Sequence, residues 1–403
     1  MAKILMTMPP LAGHINPALA VAAQLQARGH TIAWALHGAL AADRLPANAQ
    51  LFSLPVTEAA NEVENPREVR GLESLRFFYE DFCLSLAYNS LLPLEIIARE
   101  YKPDVIVCDH QMLAGGLVAS KLNIPWLSSV ATTASTLKMQ PLLNAWLVEK
   151  LRDLQITYRM PNVIERPDFS PYGVIVFSSE QLLGDKHERV PALYHFVGPA
   201  FSNRATITDF PWQRLDPNQR KILISLGTVS RDRSARFYEV MMAALSGLDI
   251  QVIMVASAEM VATAPANFIV QERVPQVELL PYLDAVICHA GHNTVCEALS
   301  FGLPLIVAPI RDDQPVIARQ VIDAGAGLFM RFGKVTVATA RATVMQLLDD
   351  VNFKNNALKL AQSFQGLGGA EGAADIIEKL IIDERIKQSD AVVGEARSHR
   401  VFH

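Results

Sequence analysis

The feature that most constrains the fold is a strand, turn and helix unit within residues 274–327. Residues 285–288 are all apolar, which is typical of a strand buried on both faces of a parallel sheet. The run breaks at residues 289–291, His-Ala-Gly, and a helical pattern then extends from about His292 to about Gly302. Because the free N–H groups of a first helical turn attract anions, we expect an anion-binding site at the carboxyl end of this strand.

Polar side chains near the start of this helix suit a phosphate, a ribose and a sugar. Asn293 and Thr294 place an amide and a hydroxyl group on the first turn, and Glu297 shares their helix face. A carboxylate in that position would accept hydrogen bonds from a diol such as ribose. Asp313 and Gln314 lie in a polar loop after the next apolar run, where they offer partners for sugar hydroxyl groups. Taken singly, such residues are also explained as ordinary helix caps.

The first half of the chain supplies a candidate general base. His14 follows the first predicted strand, and Asp109 follows a strand that ends at Cys108. The carboxyl ends of parallel strands meet at one edge of a sheet, so His14 and Asp109 are expected to lie in one crevice. A histidine can take a proton from an attacking hydroxyl group, and a carboxylate on its other nitrogen fixes the tautomer. The pattern therefore predicts a base with an orienting carboxylate.

Together these segments resemble the family of GT-B fold glycosyltransferases that includes plant secondary-metabolite glucosyltransferases and bacterial macrolide and zeaxanthin glycosyltransferases. The matching segments are 274–276, 289–294, 297–298, 302–304 and 313–315. The resemblance extends over nearly the whole chain, and the motifs of the second half are the specific ones. It implies an α/β protein with two Rossmann-like parallel-sheet domains that face an interdomain cleft.

The resemblance also implies roles for individual residues. His14 and Asp109 match the catalytic base and its partner, His289 would contact the diphosphate, and Glu297 would bind the ribose. Asp313 and Gln314 would hold the transferred sugar. Plant members have a tryptophan where this chain has Val274, so the choice between UDP and dTDP stays open. The implied donor-binding set is Thr228, Val274, Gln276, His289, Gly291, His292, Asn293, Thr294, Glu297, Asp313 and Gln314.

Length and composition agree with a two-domain enzyme. The 403 residues exceed the size at which single cores usually divide, and 36 basic against 41 acidic residues without a basic stripe argue against a nucleic-acid partner. We expect an acceptor-binding domain at 1–205, a linker at 206–220 and a donor-binding domain at 221–387. The last helix is a candidate for returning to the first domain, and residues 388–403 are expected to form a disordered tail. Asn16 and Pro17 are expected to begin the first helix.

The expected location is the cytoplasm. Residues 1–10 are unlike a signal peptide, and the chain contains no run of 18 apolar residues, so no transmembrane segment is expected, although transient membrane contact stays open. The four cysteines lack metal-binding spacing and are interpreted as buried thiols. A monomer and a homodimer are both compatible with the sequence.

The expected reaction is an inverting transfer of glucose from UDP-glucose to a hydroxyl group of an apolar natural product such as a macrolide, a carotenoid or a polyphenol. No cofactor or metal is expected, because the chain has no Asp-x-Asp motif and the nucleotide sugar is a substrate. The candidates for lining an acceptor cleft are equally explained as core faces of helices. They are Phe77, Phe78, Phe82, Met139 and Trp146.

Other functions stay open at this point. A nucleotide-sugar epimerase can use the same fold, but it needs acid and base groups that flank the sugar. A catalytically silent donor-binding protein would have no need of His14 and Asp109. An NAD-binding oxidoreductase is disfavoured, because no G-x-G-x-x-G motif follows an early strand.

Overall fold

The computed structural model describes most of the chain as two parallel sheets with helices on both faces. The described residues are 1–38, 44–55, 76–133, 141–184, 193–201, 209–227, 235–257, 261 and 263–398, with side chains to 387. The predicted α/β architecture of two parallel-sheet domains is confirmed.

The first sheet has seven parallel strands in the order β3-β2-β1-β4-β5-β6-β7. Its strands are β1 (Lys3–Thr7), β2 (Thr31–His37), β3 (Gln50–Leu54), β4 (Val105–Asp109), β5 (Trp126–Val130), β6 (Val174–Val176) and β7 (Tyr194–Phe196). Strand β4 is buried along its whole length, as its unbroken apolar run predicts.

The second sheet has six parallel strands in the order β10-β9-β8-β11-β12-β13. Its strands are β8 (Arg220–Ser225), β9 (Ile250–Val255), β10 (Phe268–Gln271), β11 (Ala285–Cys288), β12 (Leu305–Val307) and β13 (Gly327–Phe329). The apolar run at 285–288 is the fully buried β11, in register with Ser225 at the end of β8.

Helices connect these strands and cover both sheets. Those of the first half are α1 (Ala12–Ala27), α2 (Ser85–Tyr101, after a π-helical stretch Phe78–Leu84), α3 (Leu113–Leu122), α4 (Pro141–Thr157) and α5 (Glu180–Leu183). Those of the second half are α6 (Ala235–Leu245), α7 (Gln276–Leu279), α8 (His292–Ser300), α9 (Gln314–Asp323), α10 (Val337–Asp349), α11 (Val351–Phe364) and α12 (Ala370–Ser398). Short 3₁₀ turns occur at Trp212–Arg214, Leu280–Tyr282 and Phe332–Lys334.

The strand order of each sheet reverses at one point, and both reversals lie at the candidate site. In the first sheet the reversal separates β1 from β4, and in the second it separates β8 from β11. The connections after these strands leave in opposite directions, which opens a crevice at the carboxyl ends of the strands. His14 and Asp109 lie at the first crevice, and His289 lies at the second.

The start of α1 differs from the sequence prediction. Asn16 and Pro17 do not begin the helix, which starts at Ala12 after the extended residue Leu11. Pro17 therefore lies inside the helix, where it has no N–H group to donate to the carbonyl group of Gly13. A helix tolerates this loss when another donor reaches the carbonyl oxygen, and here that donor comes from the second sheet's domain.

The last helix returns to the first domain. Ala373 and Ile377 of α12 are fully buried in the apolar cluster that contains Ile4 of β1. On its outer side, Arg28 Nη1 donates to Asp375 Oδ1 at 2.6 Å and to Glu378 Oε2 at 2.6 Å. The backbone is helical to Ser398, whereas the sequence led us to expect a disordered tail from residue 388.

The segment Phe78–Tyr101 is long and strongly apolar. Within the part of the chain that the structure describes, it is the one helical stretch long and apolar enough to cross a membrane, and half of it is buried. Leu86, Leu91 and Leu94 on its inner side belong to the core of the first domain. Core helices commonly have this composition.

Candidate functional site

His14 and Asp109 form a buried pair at the crevice of the first sheet. His14 lies in the first turn of α1, and Asp109 is the last residue of β4. The His14 Nδ1 atom lies 2.8 Å from Asp109 Oδ2, and the side chains are 12% and 0% exposed. Because an ionised carboxylate only accepts hydrogen bonds, the proton of this bond belongs to Nδ1. Nε2 is therefore the ring atom that can accept a proton.

The two charges of this pair stabilise each other. Burial lowers the pKa of His14, but the carboxylates of Asp109 and Asp313 together outweigh burial, so the pKa is raised above its ordinary value. Burial raises the pKa of Asp109, and the neighbouring His14 and His110 outweigh it, so this pKa lies well below its ordinary range. The pair can take up a proton on His14 while Asp109 stays ionised.

His110 is a neighbour of Asp109 that the sequence analysis did not select. Its Nδ1 atom lies 3.4 Å from Asp109 Oδ1, and its ring stacks on Phe169 at a centroid distance of 6.0 Å. The Gln111 N–H group donates to the same Oδ1 at 2.9 Å. Each oxygen of the buried carboxylate thus has its own partner, which fixes its orientation. The available signal was simple adjacency, because polar residues follow Asp109 directly at the edge of the sheet.

The second crevice contains the predicted anion-binding helix start. Helix α8 begins at His292 after the extended N-cap residue Gly291, and no side chain caps it. Its first N–H groups therefore have no side-chain cap at the end of the helix where the sequence predicts an anion. Thr294 lies in the same turn and is half-buried.

His289 lies between two glycines at this crevice. A Cβ atom added to Gly227 would lie 2.7 Å from His289 Cε1, and one added to Gly291 would lie 2.6 Å from His289 Nε2. Only glycine leaves room for the imidazole on both sides. Burial lowers the pKa of His289, so the ring is neutral at neutral pH. A neutral imidazole can still donate one hydrogen bond to a diphosphate.

Glu297 and Gln276 are brought together as part of the predicted donor site. Gln276 Nε2 donates to Glu297 Oε2 at 2.6 Å, and Glu297 is 3% exposed. Gln276 begins α7, and Val274, two residues earlier, packs against the core of the second domain. The Gln276 amide thus holds the Glu297 carboxylate in place, and a carboxylate is a group that can accept hydrogen bonds from a diol.

Asp313 and Gln314 lie at the start of α9. Asp313 is the N-cap residue, and Asp312 before it has the left-handed backbone conformation, with φ 55°. Gln314 Oε1 accepts from the N–H groups of Ile310 at 2.8 Å and Arg311 at 3.1 Å. These two bonds fix the orientation of the Gln314 amide and use its oxygen. Its NH₂ group is therefore the part that can donate to a sugar hydroxyl group.

Asn293 and His292, both in the predicted donor-binding set, reach across to the first domain. Asn293 Nδ2 donates at 2.8 Å to the Gly13 carbonyl oxygen, the acceptor that Pro17 cannot satisfy. His292 is 5% exposed, and its Nε2 lies 3.2 Å from the Phe177 carbonyl oxygen. The His292 side chain is thus used in packing between the domains, and its backbone N–H group is what remains for a phosphate. The Asn293 amide thus contacts Gly13, the residue directly before His14.

The acceptor candidates divide between core and surface of the first domain. Phe82 is 1% exposed and belongs to the core. It therefore fits the alternative interpretation, that it lies on the core face of a helix, and does not line a cleft. Phe78 and Trp146 pack against that core while remaining partly exposed, and Phe77 is half-buried. Met139 and Thr228 lie outside the described residues.

The described residues contain no group of three or more histidine, cysteine, aspartate or glutamate side chains that could hold a metal ion. All four cysteines are free and buried.

Comparisons with known proteins find relatives that are named glycosyltransferases. The model of the family "Erythromycin biosynthesis protein CIII-like, C-terminal domain" matches residues 239–377. NDP-glycosyltransferase YjiC of Bacillus subtilis (strain 168) is 28% identical over 94% of this chain and 97% of its own length. The uncharacterized UDP-glucosyltransferase YdhE of the same organism is 30% identical over 66% of this chain and 72% of its own length.

A solved structure shows the same fold. The crystal structure of the glycosyltransferase VinC in complex with dTDP has a TM-score of 0.75 and 19% sequence identity, over 94% of this chain and 100% of that chain. The likeness covers both sheets, so it supports the arrangement of two domains around one cleft.

Proposed function

Because this chain belongs to the family of GT-B fold glycosyltransferases that includes bacterial macrolide and zeaxanthin glycosyltransferases, we propose that it transfers glucose from UDP-glucose to a hydroxyl group of an apolar natural product. One observation carries this proposal. The start of α8 in the second domain lies beside the His14 and Asp109 pair of the first domain. Asn293 Nδ2 lies 2.8 Å from the carbonyl oxygen of Gly13, the residue before His14.

The proposed reaction begins with proton transfer. The acceptor hydroxyl group donates to His14 Nε2 and loses its proton to this atom as its oxygen attacks the anomeric carbon. The Asp109 carboxylate stabilises the imidazolium ion that results, because it already holds Nδ1 at 2.8 Å. A single displacement with one base inverts the configuration at the anomeric carbon.

The bond from the anomeric carbon to the diphosphate oxygen breaks in the same step. The diphosphate leaves with the electron pair, and its negative charge develops at the start of α8. The first N–H groups of α8, the Asn293 amide and the neutral His289 ring can all donate to its oxygens. In this proposal these donors stabilise the leaving group, and no metal ion is required.

The proposed roles on the rest of the donor follow from the contacts of the second domain. Glu297 binds the ribose, with Gln276 orienting the carboxylate through their 2.6 Å hydrogen bond. Asp313 and Gln314 hold the transferred sugar. Val274 offers the nucleobase an apolar contact but no aromatic face, so dTDP-glucose is to be tested beside UDP-glucose.

A turnover assay tests this function directly. The purified protein is incubated with UDP-glucose or dTDP-glucose, alone and with a panel of hydroxylated apolar acceptors, and release of the nucleoside diphosphate is measured with and without EDTA. We expect acceptor-dependent release that EDTA leaves unchanged. Conversion of the sugar to an epimer without acceptor would support an epimerase instead, and binding without any turnover would support a silent donor-binding protein.

Replacement of the base tests the mechanism. His14→Ala is expected to lower kcat by about 10²- to 10⁴-fold, because it removes the group that accepts the proton. Nucleotide binding should be retained, since the donor contacts lie in the second domain, and circular dichroism should show a folded protein. Near-normal turnover of the best acceptor by the folded variant would show that His14 is not the base.

A further inference from the structure

Two neighbouring threonines link the first domain to helix α9. Thr132 and Thr133 follow β5 and are buried, with 4% and 0% exposure. Thr132 Oγ1 donates to Asp313 Oδ2 at 2.7 Å, and Thr133 Oγ1 donates to Gln320 Oε1 at 2.6 Å. The two bonds have similar lengths and cross the same domain boundary, but they reach α9 at different places. Asp313 is at its N-terminus, and Gln320 is about two turns further along.

The Asp313 carboxylate lies at the boundary between the two domains, where it accepts from Thr132. Its charge acts to raise the pKa of His14 in the first domain and that of His289 in the second, so it is close to both. It also lies at the start of α9, beside the Gln314 side chain that the loop orients. A small rotation of this carboxylate would change its distance to any sugar bound between His14 and His289.

We propose that Thr132 is a positioning residue that fixes the Asp313 carboxylate for the transferred sugar, so that the first domain helps to determine how the donor sugar is held. This inference rests on the proposed function. Because Thr132 donates to Asp313 Oδ2, the other oxygen, Oδ1, is the one that we assign to the sugar hydroxyl groups. Thr132 thus acts through Asp313, whereas Thr133 contacts a residue outside the donor site and serves as an internal control.

Calorimetric titration with two ligands separates sugar binding from nucleotide binding. The dissociation constants of UDP-glucose and UDP are measured for each variant, and the dTDP pair is used if the wild-type protein prefers it. Thr132→Val is expected to weaken binding of the nucleotide sugar about tenfold relative to the nucleoside diphosphate, because the carboxylate loses a charge-assisted hydrogen bond. Thr132→Ser retains the hydroxyl group and should stay within about twofold of wild type.

Two controls make this test specific. Thr133→Val should weaken both ligands equally or not at all, since it removes a domain contact without touching Asp313. In an Asp313→Ala background, Thr132→Val should have no further effect on the sugar preference, which is the non-additive result expected when one residue acts through the other. If Thr132→Val does not fold, Thr132→Ala gives the same expectation with a smaller side chain.

The outcomes that overturn the inference are distinct from those that overturn the function. Equal weakening of both ligands by Thr132→Val, or additive effects in the Asp313→Ala background, would show that Thr132 is only a domain contact. Wild-type protein that binds neither nucleotide sugar would overturn the proposed function together with this inference.

Discussion

The two crevices of this molecule are built in different ways. On the first-domain side, His14 and Asp109 are held by bonds within one domain, and both are buried. On the second-domain side, Asn293 donates to Gly13 of the first domain, and Asp313 accepts from Thr132 of the first domain. The first crevice is therefore complete before a ligand arrives, whereas the second shares its polar groups with the opposite wall of the cleft.

This difference fits the separate roles that we propose for the two crevices, proton transfer at the first and donor binding at the second. A general base needs a fixed distance and a fixed tautomer, and bonds within one domain provide both. A donor site must admit and release a charged ligand, so we expect its groups to exchange partners as the ligand enters. In our proposal the Asn293 amide turns from the Gly13 carbonyl oxygen to a phosphate oxygen, which links donor binding to the position of the two domains.

Breaking the first crevice should have the largest effect. Asp109→Asn is expected to lower kcat about a hundredfold or more, because the amide cannot stabilise an imidazolium ion and can impose the wrong tautomer on His14. In the proposed mechanism the neutral form of His14 is the active one, so wild-type activity is expected to fall as the pH drops through its pKa, which lies above the ordinary 6.5. Removing the carboxylate lowers that pKa and moves the acid limb of the pH profile to lower pH.

A pH profile of kcat measures this shift, and UDP titration of the same variant provides the control. Nucleotide affinity should be unchanged, since the donor contacts lie in the other domain. An acid limb that stays in place or moves to higher pH would contradict the assignment of Asp109 as the partner of the base.

Disturbing the second crevice through its glycines should have an intermediate effect. Gly227→Ala and Gly291→Ala each place a Cβ atom within 2.7 Å of the His289 ring, so both should weaken UDP binding. Gly227 also has φ +75°, whereas Gly291 has φ −63°. Gly227→Ala should therefore lose about 1–2 kcal/mol more in the free energy of unfolding, because alanine is strained in the left-handed region.

Chemical denaturation and UDP titration of the two variants measure these differences. If Gly291→Ala is the more destabilising of the two, crowding of His289 and not backbone conformation dominates at this crevice. If neither variant changes UDP affinity, the position of His289 does not matter for binding.

The smallest effect is expected where the two crevices touch. Pro17→Ala restores an N–H group that can donate to the Gly13 carbonyl oxygen within α1. This N–H group then competes with the Asn293 amide for the same acceptor. UDP should then bind up to about threefold more tightly, because less is lost when the amide turns to a phosphate. Pro93→Ala, which changes a proline inside α2, should leave UDP affinity unchanged. Weaker UDP binding by Pro17→Ala alone would contradict the exchange of partners.

Much of the fold and part of the site were predictable from local patterns. The apolar run at 285–288 and the glycine after it were enough to predict β11 and the start of α8, because strand burial and turn chemistry depend on near neighbours. The contact between His14 and Asp109 was also predictable, since parallel strands deliver their carboxyl ends to one edge. The start of α1 was predicted wrongly, because a proline signals a helix start only when no earlier turn begins the helix.

What the sequence by itself determined is the set of groups at each crevice: a histidine and a carboxylate at one, and a helix start with its polar residues at the other. What only the tertiary structure decided is which of these groups face one another. Thr132 meets Asp313 across 181 positions of the chain, and Asn293 meets Gly13 across 280. Such pairs carry no local signal, because they depend on how two separately built domains dock rather than on the spacing of residues along either one.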